Sequence, residues 1–364
     1  MNEDFLHKKL QERSDQHALR RLRLPDGKTD FYSNDYLGIV RHRLLPPPGP
    51  GLAAGSTGSR LLAGNYPLIE ETERELAAFH GAEAALIFNS GYDANTGLLS
   101  CLPQRGDTVV YDSLSHASIR DGIRLGFAQS FSFRHNDVDD LQKRLAAIPA
   151  GGNIFVVTES VFSMDGDEAP LQAIAALCHQ YGAGLIVDEA HATGVVGEKG
   201  EGLVQQLGLE NACLARVHTF GKAVGCHGAL VAGSASLRDY LINFCRPFIF
   251  STALPETAVH AIRESYRLFP GLHDARRRLQ SLIRRWQQAT LPFETLPSDT
   301  PIQGIIVPGN EAVKKLAARL QDNQLDVRPI LYPTVPRGKE RLRIILHAFN
   351  TENELDRLLQ LLSA

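Results

Sequence analysis

A single lysine, Lys222, follows an apolar run, Cys213–Val217, and stands among the small residues Thr219, Gly221, Ala223 and Gly225. A second apolar run, Gly228–Ala232, follows closely. Burial lowers the pKa of a lysine, and the amine freed of its proton is the nucleophile that condenses with aldehydes. Other chemically capable groups occupy equivalent places. Asp188 and, three residues on, His191 follow the run Gly184–Val187, and His116 comes soon after Thr108–Tyr111. Asn89-Ser90-Gly91-Tyr92 follows Ala84–Phe88, and a hydroxyl and a glycine opening a helix present backbone N–H groups that suit a phosphate. The polar stretch Glu159 to Asp167, with Ser163 inside it, follows Ile154–Thr158.

One small molecule accounts for this set. Pyridoxal phosphate requires a lysine for its aldehyde, an anion-binding turn for its phosphate and a carboxylate at its pyridine nitrogen. An aromatic ring such as that of His116 can pack on its face. Competing chemistries lack their parts. Asp188-Glu189-Ala190-His191 spells a helicase box, yet no G-x-x-x-x-G-K-[ST] loop precedes it. No G-x-G-x-x-G follows the first strands, which argues against a dinucleotide site. His116 and His191 have no third ligand in a compact pattern, so no metal site is expected.

These residues need a scaffold that delivers strand ends to one edge. The apolar runs Ala84–Phe88, Thr108–Tyr111, Ser130–Phe133, Ile154–Thr158, Gly184–Val187, Cys213–Val217 and Gly228–Ala232 read as seven strands. Most are separated by helix-length connections, the pattern of a mostly parallel sheet wrapped by helices. In such sheets ligands bind beyond the carboxyl ends of the strands. Residues 1 to about 24 carry a helical pattern, a turn follows at Pro25-Asp26-Gly27, and Phe31-Tyr32 reads as a short strand. Pro67 to Phe79 is an amphipathic helix. Beyond about residue 234 helices dominate, with short strands at Gly304–Val307 and Leu342–Leu346 and a final helix opened by the capping box at Thr351 to Glu354. The expected division is an N-terminal segment, 1–42, a large cofactor-binding domain, 43–270, and a smaller α+β domain, 271–364.

Composition is that of an ordinary soluble globular protein. The 364 residues are 43% hydrophobic and 22% charged, with a formal net charge of -3. That balance gives no reason to expect nucleic acid or an anionic membrane as partner. The arginines at Arg276–Arg278 and Arg284-Arg285 read as a solvated helix face. Five widely spaced cysteines with no C-x-x-C argue against a disulfide framework and a structural zinc site. The polar start carries no secretory signal and no apolar run approaches membrane-spanning length, so a cytoplasmic place is expected.

Ser33-Asn34-Asp35-Tyr36-Leu37-Gly38, Ser115-His116-Ala117-Ser118, His135-Asn136-Asp137, the run Thr158 to Asp167, Val187 to Gly194 and Thr219-Phe220-Gly221-Lys222 resemble, in order and spacing, the motifs of the α-oxoamine synthases. The resemblance implies the aspartate-aminotransferase-like α/β fold (pyridoxal phosphate fold type I) from about residue 31 to the C-terminus. It implies a condensation of an amino acid with an acyl thioester, carried on coenzyme A or an acyl carrier protein, with loss of carbon dioxide. Lys222 would hold the cofactor and act as base, Asp188 would pair with the ring nitrogen, His116 would stack, and His191 would bond the phenolic oxygen. Ser90, Gly91, Tyr92, Ser163 and Thr219 would contact the cofactor. Thr252 would reach the phosphate of a partner subunit, implying a homodimer with shared sites. Asn34 and either Arg341 or Arg343 would receive the amino acid. Ser59, where glycine-specific members carry threonine, would leave room for the methyl of alanine. The chain departs from the family at Ala192 and at the Pro-rich link 39–55, and its glycine-rich stretch Gly58 to Gly64 departs from the ending usual in one branch of it.

Overall fold

The computed structural model describes residues 3–24 and 26–364. Met1, Asn2 and Pro25 lie outside the described residues, so the expected Pro25-Asp26-Gly27 turn and the expected 1–42 segment are described only in part. In chain order the strands are β1 (Thr29–Asp30), β2 (Ala84–Phe88), β3 (Thr108–Asp112), β4 (Gln129–Phe133), β5 (Ile154–Glu159) and β6 (Gly184–Asp188). They continue with β7 (Cys213–Thr219), β8 (Ala229–Gly233), β9 (Ile302–Ile306), β10 (Leu325–Asp326), β11 (Arg328–Ile330) and β12 (Arg341–Ile345).

Seven of these form one sheet in the order β2-β8-β7-β6-β5-β3-β4. All its pairings are parallel except those of β8, which runs antiparallel to both neighbours. The seven expected strands are these seven, with ends within two residues. The inner strands β5 and β6 are almost wholly buried, as expected of near-continuous Val and Ile covered on both faces. β4, at the edge, is mostly exposed and alternates Ser with Phe. Helix Gly91–Cys101 lays Ala94, Leu98 and Leu99 on the sheet, beside Val109, Val157, Ile186, Val217 and Val231.

Two compact units emerge. One comprises Leu37–Ser163 and Glu168–Arg276 and contains this sheet; the other comprises the chain up to Tyr36, Met164–Asp167 and Arg277–Ala364. The N-terminal segment therefore belongs with the C-terminal unit, not apart from it. Its β1 pairs with β10, Phe31 N–H donates to Asp326 O at 3.1 Å, and Ile345 N–H donates to Phe31 O at 2.8 Å. The tetrapeptide at 164–167 joins the same unit because Gly166 O accepts from Ser298 Oγ at 2.7 Å and Thr300 Oγ1 at 2.8 Å. A Cβ at Gly166 would stand 2.1 Å from Ile302 O, and its φ is +78°, so glycine alone fits. The second boundary falls inside helix His273–Gln287 rather than at residue 271.

Two local expectations differ. The first helix is Asp4–Asp15, none of whose residues is buried, and residues 16–24 leave it, with Leu19 half-buried and Leu22 and Leu24 exposed. The short strand is Thr29–Asp30 instead of Phe31-Tyr32. Helix Glu352–Ser363 has the expected capping box, Thr351 with Glu354.

Candidate active site

The unit holding the sheet brings most of the sequence-derived residues to the carboxyl edge of its strands. Lys222 lies in the link between β7 and β8. That link is closed by Phe220 N–H to Gly228 O at 2.9 Å, Cys226 N–H to Phe220 O at 2.7 Å and Gly225 N–H to Lys222 O at 2.8 Å. Lys222 is half-buried, and its Nζ donates to Thr219 Oγ1 at 3.3 Å. Asp188 ends the neighbouring β6, in register with Val217.

Asp188 is 5% exposed. Its Oδ2 accepts from Asn95 Nδ2 at 2.7 Å and its Oδ1 from Ala190 N–H at 2.8 Å. Both donors are uncharged, and no ion pair to Asp188 occurs among the described residues. A buried carboxylate held this way needs a cation, and a protonated ring nitrogen is one. His191 follows in a tight turn made by Ala192 and Thr193 N–H donating to Glu189 O, and it is 5% exposed.

His116 caps helix Ala117–Leu125, its Nδ1 within 2.8 Å of Ser118 Oγ, while its outer surface stays open to receive a flat ligand. Partial burial holds this imidazole below its ordinary pKa; Asp188 opposes that and Lys222 adds to it. Burial thus favours the neutral form of the imidazole. Its backbone N–H donates to Glu159 Oε1 at 2.6 Å. Burial first, then the neighbouring Asp188, pushes the Glu159 carboxyl well above the usual range.

At the start of helix Gly91–Cys101, Ser90 Oγ accepts from Asp93 N–H at 3.0 Å as a proper cap. A side chain on Gly91 would stand 2.5 Å from Thr219 Cγ2, so the bare glycine lets Thr219 close on the helix N-terminus. A helix N-terminus beside a hydroxyl is suited to a phosphate. Tyr92 adds its position in that first turn, but the residue is 47% exposed and its phenol donates to Asp121. Ser163 is half-buried beyond β5. Thr252 is exposed, and Asn89 Nδ2 donates to its carbonyl at 2.8 Å. Ser59 is half-buried in a turn where Ser59 O accepts from Gly64 N–H at 2.9 Å. The donor set, the carboxylate without a cation and the side-chain-free cradle fit pyridoxal phosphate.

The other unit unites two further residues. Arg343 is 9% exposed, and its Nη2 donates to Asn34 Oδ1 at 3.1 Å; Tyr36 OH donates to the same oxygen at 3.3 Å. Burial pushes the Tyr36 phenol up to about 12. Arg341, expected on the same strand face, is taken by Asp165, which lies 176 positions earlier, and by Lys339 O at 3.0 Å. Of the two candidates, Arg343 is therefore the one grouped with Asn34.

Sequence reasoning passed over Asn95 and the Arg60–Glu73 pair. Asn95 lies on the buried face of its helix beside Ala94 and Leu98, and a polar residue on an otherwise apolar stripe was the available signal. Arg60 and Glu73 had none, because nothing in local spacing pairs them.

Fold and site together define a pyridoxal-phosphate enzyme of fold type I. Residues 26–362 match the family model for aminotransferase class I and II. An 8-amino-7-oxononanoate synthase of Emericella nidulans is 41% identical, aligned over 98% of this chain and 94% of that protein. One from Alkalilimnicola ehrlichii is 43% identical over 92% and 87%. The solved serine palmitoyltransferase of S. paucimobilis with bound PLP–myriocin superposes with a TM-score of 0.87 at 30% identity, covering 99% of this chain and 96% of that one. An 8-amino-7-oxononanoate synthase structure from Francisella tularensis gives 0.76 at 29%, covering 93% and 98%. The chain belongs to the aminotransferase class I and II family and, within it, to the α-oxoamine synthases. None of its described helices is long and apolar enough to cross a membrane.

Proposed function

We propose that this enzyme condenses L-alanine with a pimeloyl thioester, of coenzyme A or acyl carrier protein, to give 8-amino-7-oxononanoate for biotin synthesis. The observation that supports the reading is that Lys222, just past β7, and the buried Asp188, at the end of adjacent β6, lie at one sheet edge in a chain 40–43% identical to several synthases of that name. When bound, pyridoxal phosphate supplies an aldehyde that takes up amines and a ring that accepts the electron pair left by a broken Cα bond.

The residues then divide the work. Lys222 Nζ would hold the cofactor through its aldehyde and, once free, would be the base placed to take the Cα proton. Asp188, fixed by Asn95, keeps the ring nitrogen protonated. His116 supplies a ring for stacking, and His191 donates to the phenolic oxygen. Ser90, Gly91, the first-turn N–H of Tyr92, Ser163 and Thr219 hold the cofactor, and Thr252 of one protomer serves its partner in a homodimer. Arg343 and Asn34 receive the amino-acid carboxylate, with a guanidinium suited to a bidentate grip. Cα bonds to the acyl carbon, the C–S bond breaks and the thiol leaves. Carbon dioxide departs and Cα regains a proton. Ser59 leaves room for one methyl, a difference of about 1–3 kcal/mol. The place of action is the cytoplasm.

A sibling reaction, serine with a longer acyl thioester, draws support from the serine palmitoyltransferase superpositions, which reach a TM-score of 0.88. Offering the loaded enzyme alanine, serine and glycine with pimeloyl, palmitoyl and acetyl thioesters, and measuring free thiol, separates the two. Preferred release with alanine and pimeloyl thioester is expected; preference for serine with palmitoyl thioester would replace the reading.

A further inference from the structure

Arg60 and Glu73 form a buried, two-pronged ion pair in the unit that carries the sheet. Arg60 is 9% exposed and Glu73 3%. Nη1 donates to Oε1 at 2.7 Å and Nη2 to Oε2 at 3.0 Å, while Arg60 Nε donates to Asn65 Oδ1 at 2.8 Å. Glu73 Oε1 also accepts from Ile87 N–H at 2.9 Å, which ties the pair to β2 just before Ser90. On the other side, Ala253 N–H donates to Gly58 O at 2.9 Å, and Tyr66 OH donates to Leu254 O at 2.7 Å. Gly64 packs so closely that a Cβ there would stand 2.4 Å from Gly58 O and 2.6 Å from the Ala253 methyl.

The guanidinium thus joins the Ser59 turn, through its own backbone and Asn65, to Glu73, and Glu73 carries the link to β2; the neighbouring Gly58 O and Tyr66 OH carry the turn's link to the segment holding Thr252. Two desolvated charges seldom raise stability over well-packed apolar residues, so the geometry they fix is their distinctive contribution. We propose that Arg60 is a positioning residue for amino-acid selection, holding the Ser59 turn at the distance that decides which side chain fits beside it. Arg60 contacts no substrate itself. The proposal rests on Ser59 being an amino-acid contact.

The test uses cofactor-loaded full-length enzyme without any acyl donor. Dissociation constants for glycine, L-alanine and L-serine are read from the change in cofactor absorbance, with the thermal midpoint measured in parallel. Two variants are compared with the parent. Arg60→Lys keeps the charge but cannot make the three-point grip. Arg60→Met with Glu73→Gln removes both charges and keeps an acceptor for Ile87 N–H. The expected result is a change of at least fivefold in the alanine-to-serine or alanine-to-glycine ratio in both variants, with cofactor retained. Ratios within twofold of the parent, or failure of both variants to fold, assign the pair to stability alone and overturn the proposal. Ser59→Thr and Ser59→Ala serve as controls. If they leave the ratios unchanged, the reading of Ser59 itself fails, which is distinguishable from a failure confined to Arg60.

Discussion

Replacing Asn95 by alanine removes the 2.7 Å hydrogen bond to Asp188 Oδ2 and the 3.0 Å bond to Ser118 Oγ, and keeps the Ala190 N–H bond to the carboxylate. Asn95 is 3% exposed, so water does not readily substitute for the lost donor. A hydrogen bond to a charged group contributes about 1.5–3 kcal/mol. Asp188 has Ala190 N–H as its other donor and would meet the protonated ring nitrogen less firmly oriented. Cofactor affinity should therefore fall about 10- to 150-fold, at roughly 1.4 kcal/mol per factor of ten. Asn95→Asp should do worse, since it sets a second carboxyl against the first. The assay is equilibrium titration of cofactor-free protein with pyridoxal phosphate, followed by absorbance, with near-ultraviolet circular dichroism to establish an unchanged fold. Affinity of Asn95→Ala within twofold of the parent would refute the claim that Asp188 acts through a geometry set by Asn95.

Other substitutions give separable outcomes. Gly91→Ala places its methyl against Thr219 Cγ2 and should weaken cofactor binding by about 1–3 kcal/mol; adding Thr219→Ser, which deletes that methyl but keeps the hydroxyl, should restore most of the loss in the same titration. Arg343→Ala should raise the alanine KM about 10- to 150-fold, whereas Arg341→Ala, which strands Asp165, should lower unfolding free energy by about 3–5 kcal/mol with little change in KM. Glu189 is fully buried, and that burial pushes its carboxyl up to about 7 from 4.5, so the native state binds the proton more tightly than the unfolded chain. Stability from this group is present below about 4.5 and declines as pH rises to about 7. Glu189→Gln should remove that decline and be more stable than the parent above pH 7, by up to about 3 kcal/mol in denaturant unfolding; equal pH profiles would contradict it.

The parts of the fold that came through from sequence are those with a local physical cause. β5 and β6 carry apolar runs, Ile154–Val157 and Leu185–Val187, because both faces are covered, and Asp188 or Lys222 interrupts or follows such runs where polarity has no packing reason. Leu19 and Leu22 show the limit of pattern: with Phe5, Leu6 and Leu10 they suggest one helix, but helix Asp4–Asp15 stops earlier, and Leu22 finds no apolar surface to cover. β10 and β11 are two and three residues long and carry too few side chains for any periodicity. Arg341 looked equivalent to Arg343 because alternation gives both one face; the partner that separates them, Asp165, is distant in sequence. Arg60–Glu73 and Asn95–Asp188 were hidden for the same reason, as pairs made only by the tertiary fold.

The central claim is tested most directly by incubating the cofactor-loaded enzyme with L-alanine and a pimeloyl thioester, and measuring carbon dioxide, free thiol and the mass of the product. The account predicts equimolar carbon dioxide and thiol with 8-amino-7-oxononanoate formed, and none of the three with Lys222→Ala. Unimpaired turnover by Lys222→Ala, or product from glycine and an acetyl thioester with none from alanine, would contradict it.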